Sequence, residues 1–213
     1  MNLSRLHLYL HDVALLESTD PGCNNAALQD CRTLELKSAD AVMQSHVLLG
    51  HRVNAQRDTQ RLGNGLRFIQ LWRDTSLLGS SWIVNGGGRY VDEVNWLLPI
   101  TEREFWVRDV YISPHCRGQK LFPTFLRLIA QNHVPGCQRM WSDVDWPHTA
   151  SLRAHYAVGF KLHARVRAFD VAGRWRWRSR LVPWDLTVQQ IAPQNRFIWL
   201  RGAQRQRHLE LMA

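Results

Sequence analysis

Apolar residues recur at rough helical spacing from Ser38 to about Gln60, with Val42, Val47, Leu48 and Leu49 as the stripe. Ser38 suits the cap of that helix and Asp40 its first turn. Gly63-Asn64-Gly65 breaks the pattern. Two apolar runs follow, 66–72 and 77–84, joined by Arg73-Asp74-Thr75-Ser76, and they predict a β-hairpin. Gly86-Gly87-Gly88 reads equally well as a plain turn and as a phosphate cradle, since no helix start follows it closely. Glu104 to Ile112 is rich in aromatic and β-branched residues and reads as a strand, ended by Ser113-Pro114. A helix is expected from Gly118 to about His133, with Pro123 in its first turn. A short strand over 139–144, a short helix over 149–158 stopped by Gly159, and two strands over 160–171 and 174–182 complete the pattern. This order predicts a three-layer α/β fold around a mixed sheet.

Length and composition narrow the class. The chain has 213 residues, 45% of them apolar and 21% charged, which suits one soluble globular domain. No apolar run approaches the ~20 residues of a membrane span. The stretch from Met1 to Leu16 is interrupted by His7, His11 and Asp12 and does not have the layout of a signal peptide. Cys23, Cys31, Cys116 and Cys137 form no CxxC pair, so free thiols and a cytoplasmic location are expected. Ten scattered histidines show no metal-ligand spacing, and no metal is expected.

Charge is unevenly spread. Of 27 basic and 18 acidic residues, 16 and 15 fall in 1–160, and 11 and 3 in 161–213. The chain is therefore near neutral (16 − 15 = +1) up to residue 160 and strongly basic (11 − 3 = +8) beyond it.

The most informative stretch runs from Val110 to Leu126. A strand enters a tight loop that opens a helix, so backbone N–H groups converge where the helix dipole is positive. A phosphate or pyrophosphate suits such a loop, and Arg117 would add charge. Val110-Tyr-Ile112-Ser-Pro114, then Arg117-Gly118-Gln119-Lys120-Leu121-Phe122, resembles the signature of the GNAT superfamily of acyl-CoA-dependent N-acyltransferases. A second landmark of that family, a short helix ending in Gly-Phe, is matched by Ser151 to Gly159-Phe160. Lys120 and Phe122 depart from the signature, which usually has small residues there. The resemblance covers about 66–171. It implies a GNAT-like α/β fold, three-layered, with a central mixed, mostly antiparallel sheet flanked by helices. It also divides the single domain into a helical part at 1–65, a core with the CoA site at 66–171, and basic, tryptophan-rich strands at 172–213.

The same resemblance implies acetyl-CoA or another acyl-CoA as co-substrate. The pyrophosphate would lie on Arg117, Gly118, Gln119, Lys120, Leu121 and Phe122, and the pantetheine arm on the backbone of Val110 and Ile112. His148 stands where the family often has Asn beside the cofactor.

Transfer from a thioester to an amine needs a base for the ammonium and an acid for the thiolate. Where many relatives have a tyrosine acid, four residues before the Gly of Gly-Phe, this chain has His155. An unperturbed imidazole is roughly a quarter protonated at pH 7 and is a competent donor to a thiolate. A histidine simply bonded to backbone or CoA is an equal alternative. Tyr156, one residue on, should face elsewhere. Among Glu102, Glu104 and Asp109, Asp109 is the first choice for the base and Glu104 the second, because a carboxylate inside an apolar strand is costly without a purpose. An ion pair with Arg108 or Arg139 is the plainer reading of Asp109. Strand alternation would put Asp109 on the face of Val107 and Tyr111. Asp143 and Asp145 are further candidates for holding the ammonium, a solvated loop being the alternative.

The tail Arg174-Trp-Arg-Trp-Arg-Ser-Arg180 alternates cation and indole. An outer strand with its arginines in water accounts for it. The functional alternatives are an anionic acceptor such as a lipid- or nucleotide-linked amino sugar, or docking on an anionic membrane surface. Nucleic acid is not expected, since no motif of a nucleic-acid module is present. The sequence therefore predicts an N-acyltransferase with a small-molecule amine acceptor, with a homodimer compatible. Its rival is a catalytically silent GNAT fold that docks through the basic tail on nucleic acid, membrane or a protein partner.

Overall fold

Ser38 does cap a helix: its Oγ accepts from the Ala41 N–H at 3.3 Å. The computed structural model in which this is seen describes residues 8–19, 30–86, 88–91, 96–145, 148–171, 175–180 and 189–190. The helix predicted over 38–60 is two helices, α1 (Ala39–Leu48) and α2 (Ala55–Gly63). Gly50 has φ 70°, a left-handed conformation that ends α1, and Asn54 starts α2 by accepting from the Arg57 N–H at 3.0 Å. The apolar stripe ends at Leu49, just before this break, and Gly50 is the signal for it that the sequence carries.

The described residues form two compact units. The first holds 18–19, 30–86 and 100–141. Here β2 (Cys31–Leu36), β3 (Arg67–Arg73), β4 (Ser76–Asn85) and β7 (Glu104–Ile112) are neighbours in the order β7-β4-β3-β2. All three pairings are antiparallel, and the predicted hairpin is β3–β4, with Arg73 opposite Ser76. After β7 come a short 3-10 turn (Pro114–Cys116) and α3 (Leu121–His133). Pro123 is the third residue of α3, where its missing N–H costs no helix bond. Phe68 and Trp82 face each other across β3–β4 and pack with Val42 of α1, rings 4.9 Å apart and tilted at 71°. Burying such rings is worth about 1.5–3 kcal/mol each and fixes the helices on the sheet. Arg67 ties the unit together. It makes two bonds to the Glu35 carboxylate, one to Asn85 Oδ1 and one to the His133 carbonyl, which joins β2, β3, β4 and the end of α3.

The second unit holds 8–17, 88–91, 96–99, 142–145, 148–171, 175–180 and 189–190. Its strands β1 (Leu8–Ser18), β9 (Lys161–Val171) and β10 (Trp175–Arg180) run in the order β10-β9-β1, with β1 beside β8 (Arg139–Asp145). Both β1–β9 and β10–β9 are antiparallel. β5 (Gly88–Val91) and β6 (Trp96–Pro99) pair with each other, and β6 also pairs with β11 (Gln189–Gln190). Helix α4 (Thr149–Tyr156) matches the short helix read from the sequence. The part read as helical, 1–65, also contains β1 and β2. Ala14 and Leu16 of β1 are both fully buried, an alternation too short to stand out in a stretch broken by His and Asp. Of the glycine run, Gly86 has φ 74° and Gly88 opens the strand β5, so no helix start follows it, while Gly87 lies outside the described residues. Arg174 and the tail over 181–188 and 191–213 lie outside the described residues.

Candidate functional site

In the first unit the site is built on the end of β7. Across β4, Ile112 pairs with Gly79 and Tyr111 with Ser80, while Arg108 pairs with Trp82 and Val107 with Ile83. Two residues, Asp109 and Val110, thus stand against Ser81 alone. This is a β-bulge, and Asp109 takes the positive φ of 50° that it needs. Directly opposed residues share a face, so the bulge reverses the alternation. Tyr111 shares the face of Arg108 and Trp82, and Ile112 that of Val107. The expectation that Tyr111 lies with Val107 is therefore corrected. Tyr111 turns towards α1, where its hydroxyl donates to the Leu49 carbonyl at 3.2 Å and its ring meets His51 at 3.8 Å.

Asp109 pairs with Arg61, Oδ2 lying 2.7 Å from Nη1, a partner that the sequence did not suggest. Its side chain is 52% exposed. Partial desolvation pushes its pKa up, but Arg61, and then Arg108, outweigh this and hold the carboxyl below the usual range. Arg61 also covers the Trp82 ring at 5.2 Å. Glu104 begins β7, eight residues before Ile112, or about 26 Å of strand. Its Oε2 accepts from the Thr101 N–H at 3.0 Å and its Oε1 is 3.6 Å from Arg139. The structure therefore separates Glu104 from the end of β7 that the loop follows.

The loop after β7 has the shape that its sequence suggests. Gly118 has φ 81° and Lys120 φ 56°, and Lys120 is the N-cap of α3. No side chain caps this end, so the first turn of α3 offers N–H groups that no side chain uses. Arg117, Gly118, Gln119 and Lys120 are all exposed. Arg117 Nε donates to the Ile112 carbonyl at 3.2 Å, and its guanidinium lies 5.8 Å from the Tyr111 ring. Gln119 accepts from Arg73 at 3.2 Å. Leu121 is buried, so only its backbone is available to a ligand, and Phe122 is half-buried.

In the second unit His155 is 4% exposed. Its Nδ1 is 2.8 Å from the Ser151 carbonyl, which only accepts, so Nδ1 carries a proton. Its Nε2 is 2.9 Å from Ser142 Oγ and accepts from that hydroxyl when the ring is neutral. Burial lowers the His155 pKa, against the Ser151 carbonyl and Asp143, which raise it. The expected quarter-protonated imidazole is thus corrected: the ring is held neutral, with both nitrogens engaged inside its own unit. Tyr156 is 43% exposed and points elsewhere, as helical geometry requires. His148 is the exposed residue before α4 and makes no side-chain cap. Asp143 is half-buried and Asp145 exposed at the end of β8. Among the described residues, no cluster of His, Cys, Asp or Glu could hold a metal.

Ser142, Arg61 and His51 are the residues that sequence reasoning missed. Each is a common residue type in an unremarkable setting. Gly79 did carry a signal, since a glycine inside a strand often marks a close backbone approach.

No protein-family model and no curated protein matches the sequence. Solved structures do match. A tandem GNAT protein from the clavulanic acid biosynthesis pathway is 16% identical over 84% of this chain and 57% of its own, with a TM-score of 0.51. A functionally unknown conserved protein from Staphylococcus epidermidis is 8% identical over 82% of this chain and 64% of its own, with a TM-score of 0.52. A GCN5-related N-acetyltransferase from Kribbella flavida is 13% identical over 84% and 63%, with a TM-score of 0.47. The chain thus spans 57–64% of the length of these three neighbours. The likeness establishes the fold: it is the α/β fold of the GNAT superfamily.

Proposed function

We propose that this GNAT-fold chain is an acyl-CoA-dependent N-acyltransferase that moves an acyl group, acetyl in the first instance, to an amine. One observation carries the reading. Two consecutive devices, the bulge at Asp109–Val110 and the left-handed turn through Gly118 and Lys120, frame a strand end and an uncapped 13-residue helix. The first disturbs the backbone pairing where a pantetheine amide would compete for it. The second aims N–H groups and the cations of Arg117 and Lys120 at one exposed spot suited to pyrophosphate. Val110 and Ile112 then meet pantetheine, and Arg117 to Phe122 meet phosphate through the backbone and the two cations.

In the reaction the amine nitrogen attacks the thioester carbonyl, the C–S bond breaks, and the thiolate is protonated. A thiol has a pKa near ~8.5, so solvent water completes the last step without a charged donor. His155, neutral and bonded on both sides, fixes Ser142 against α4. Asp109, kept an anion by Arg61, is a weak base and serves to hold the bulge and balance charge. Glu104 stays structural, tied to Thr101 and Arg139. No helix among the described residues is long and apolar enough to cross a membrane. The basic tail remains the part suited to an anionic acceptor.

Calorimetry with acetyl-CoA and longer acyl-CoAs tests the reading. Binding that weakens about tenfold in Arg117→Gln supports it, given roughly 1.5–3 kcal/mol for a hydrogen bond to a charged group. Absence of binding by every acyl-CoA overturns it.

A further inference from the structure

Four buried polar atoms without a hydrogen-bond partner belong to three residues of α1, α2 and the loop between them: Nδ1 and Nε2 of His46, Nε2 of His51 and Oδ2 of Asp58. Folded proteins rarely leave such groups unmatched without a use for them. Their arrangement is linear. The Asp58 carboxylate is wholly buried, with Arg57 Nε at 3.4 Å and His46 Nε2 at 3.3 Å, the latter without hydrogen-bond geometry. The His46 ring lies 5.6 Å from that of His51, and the His51 ring 3.8 Å from that of Tyr111. Tyr111 directly follows Val110, so a row of titratable groups leads from a buried carboxylate to the bulge of β7.

We propose that His51 is the base that takes the proton of the acceptor amine, a role that rests on the acyltransferase reading. The acceptor arrives as an ammonium ion and must lose a proton before its lone pair can attack. The N–H bond breaks, its electron pair stays on nitrogen, and the proton passes to the imidazole directly or across one water. The amine then attacks the thioester, and the imidazolium returns its proton to solvent.

The groups that bear on His51 are His46 from α1, Arg57 from α2, and Asp109 and Tyr111 from β7, with Asp58 of α2 behind His46. Burial keeps the ring neutral at pH 7, helped by His46 and Arg57 and opposed by Asp109. The carboxylate of Asp109 balances the charge once the ring is protonated. The His51 ring is half-buried, with Nε2 enclosed and without a hydrogen-bond partner, so Nδ1 is the nitrogen left to meet an amine or a bridging water. Asp109, by contrast, is already paired with Arg61.

The test uses the full chain with His51→Gln and His51→Asn, acetyl-CoA, and a panel of primary amines that includes glucosamine and spermidine. Both variants should bind acetyl-CoA with wild-type affinity while kcat/KM falls 100-fold or more, within the range for a lost general base. The acidic limb of the wild-type pH profile, with an apparent pKa below about 6.5, should disappear in both. In parallel, nitrogen-15 NMR of the imidazoles should show the His51 titration midpoint moving when acetyl-CoA saturates the protein. Wild-type rates and pH profile in either variant overturn the role of His51. So does a His51 titration that acetyl-CoA leaves unmoved, even where no amine in the panel is acetylated. Failure of acetyl-CoA to bind the wild type instead overturns the acyltransferase reading.

Discussion

His155 Nε2 lies 2.9 Å from Ser142 Oγ, so the histidine that the sequence offered as a proton donor faces a hydroxyl of its own unit. On its other side Nδ1 donates to the Ser151 carbonyl. His155→Phe keeps an aromatic ring near Phe160 but leaves the Ser142 hydroxyl and the Ser151 carbonyl without it. The expected loss is about 1–3 kcal/mol in urea unfolding. Unchanged stability with abolished turnover would restore His155 as the acid.

Acid should weaken the fold before any carboxylate titrates. Burial lowers the pKa of His46, His51, His133 and His155 from 6.5. Below pH 6.5 the unfolded chain therefore binds more protons than the folded one, and stability falls as the pH drops through the folded values. Well above 6.5, from about pH 7.5, these groups are neutral in both states and add little slope. Asp109 and Glu35 are held low by their arginines, so their contribution is present above about pH 4 and lost further down. Urea midpoints at pH 8.5, 7.5 and 5.5 should be level across the first step and lower at the last. A midpoint independent of pH down to 5 would contradict this.

The bulge gives Asp109 a backbone requirement separate from its charge. Asn tolerates the left-handed region and Val does not. Asp109→Val should cost about 1–2 kcal/mol more than Asp109→Asn. Asp109→Gly should come close to wild type, since relieved strain offsets an ion pair worth about 0–1 kcal/mol at a half-exposed site. Chemical denaturation of the three variants checks the order, and an equal loss in all three would deny the strain.

Gly79 sets the position of the strand end above it. A Cβ there would lie 2.4 Å from the Tyr111 carbonyl oxygen and 2.9 Å from Ile112 Cδ1. Gly79→Ala should cost about 1–3 kcal/mol, as overpacking does, and weaken acetyl-CoA binding by displacing Ile112. Gly63→Ala, with open space around its Cβ, should leave that affinity unchanged and serves as the control.

The hairpin, β7, α3 and α4 were legible because each is a local matter of period, cap or breaker. The loop was legible for the same reason: Gly118 and Pro123 mark its turn and its helix start. β1 was not, because its evidence is its partner β9, about 150 residues away, and long-range pairing leaves little trace in a single segment. The break after α1 was missed although the apolar stripe ends at Leu49, because a single glycine is often tolerated inside a helical pattern. Asp109 was singled out for the right oddity, a charge in an apolar strand, but the bulge that explains it changes no residue type. His51 was invisible, since nothing near residue 51 in the sequence says that Tyr111 will turn to meet it.

The bulge can also be regarded as a shift of phase. Up to Arg108 the strand keeps one parity of inward and outward positions, and from Tyr111 it keeps the other. A strand that paired regularly through Asp109 with all its residues kept would lead into the same loop and the same helix, yet Tyr111 would look away from α1 and His51 would lose its neighbour. Deleting Asp109, by contrast, removes the extra residue together with the bulge and leaves Tyr111 opposite Ser80. In this chain the meeting of His51 and Tyr111 therefore depends on the register of β7 against β4 and not on the length of β7.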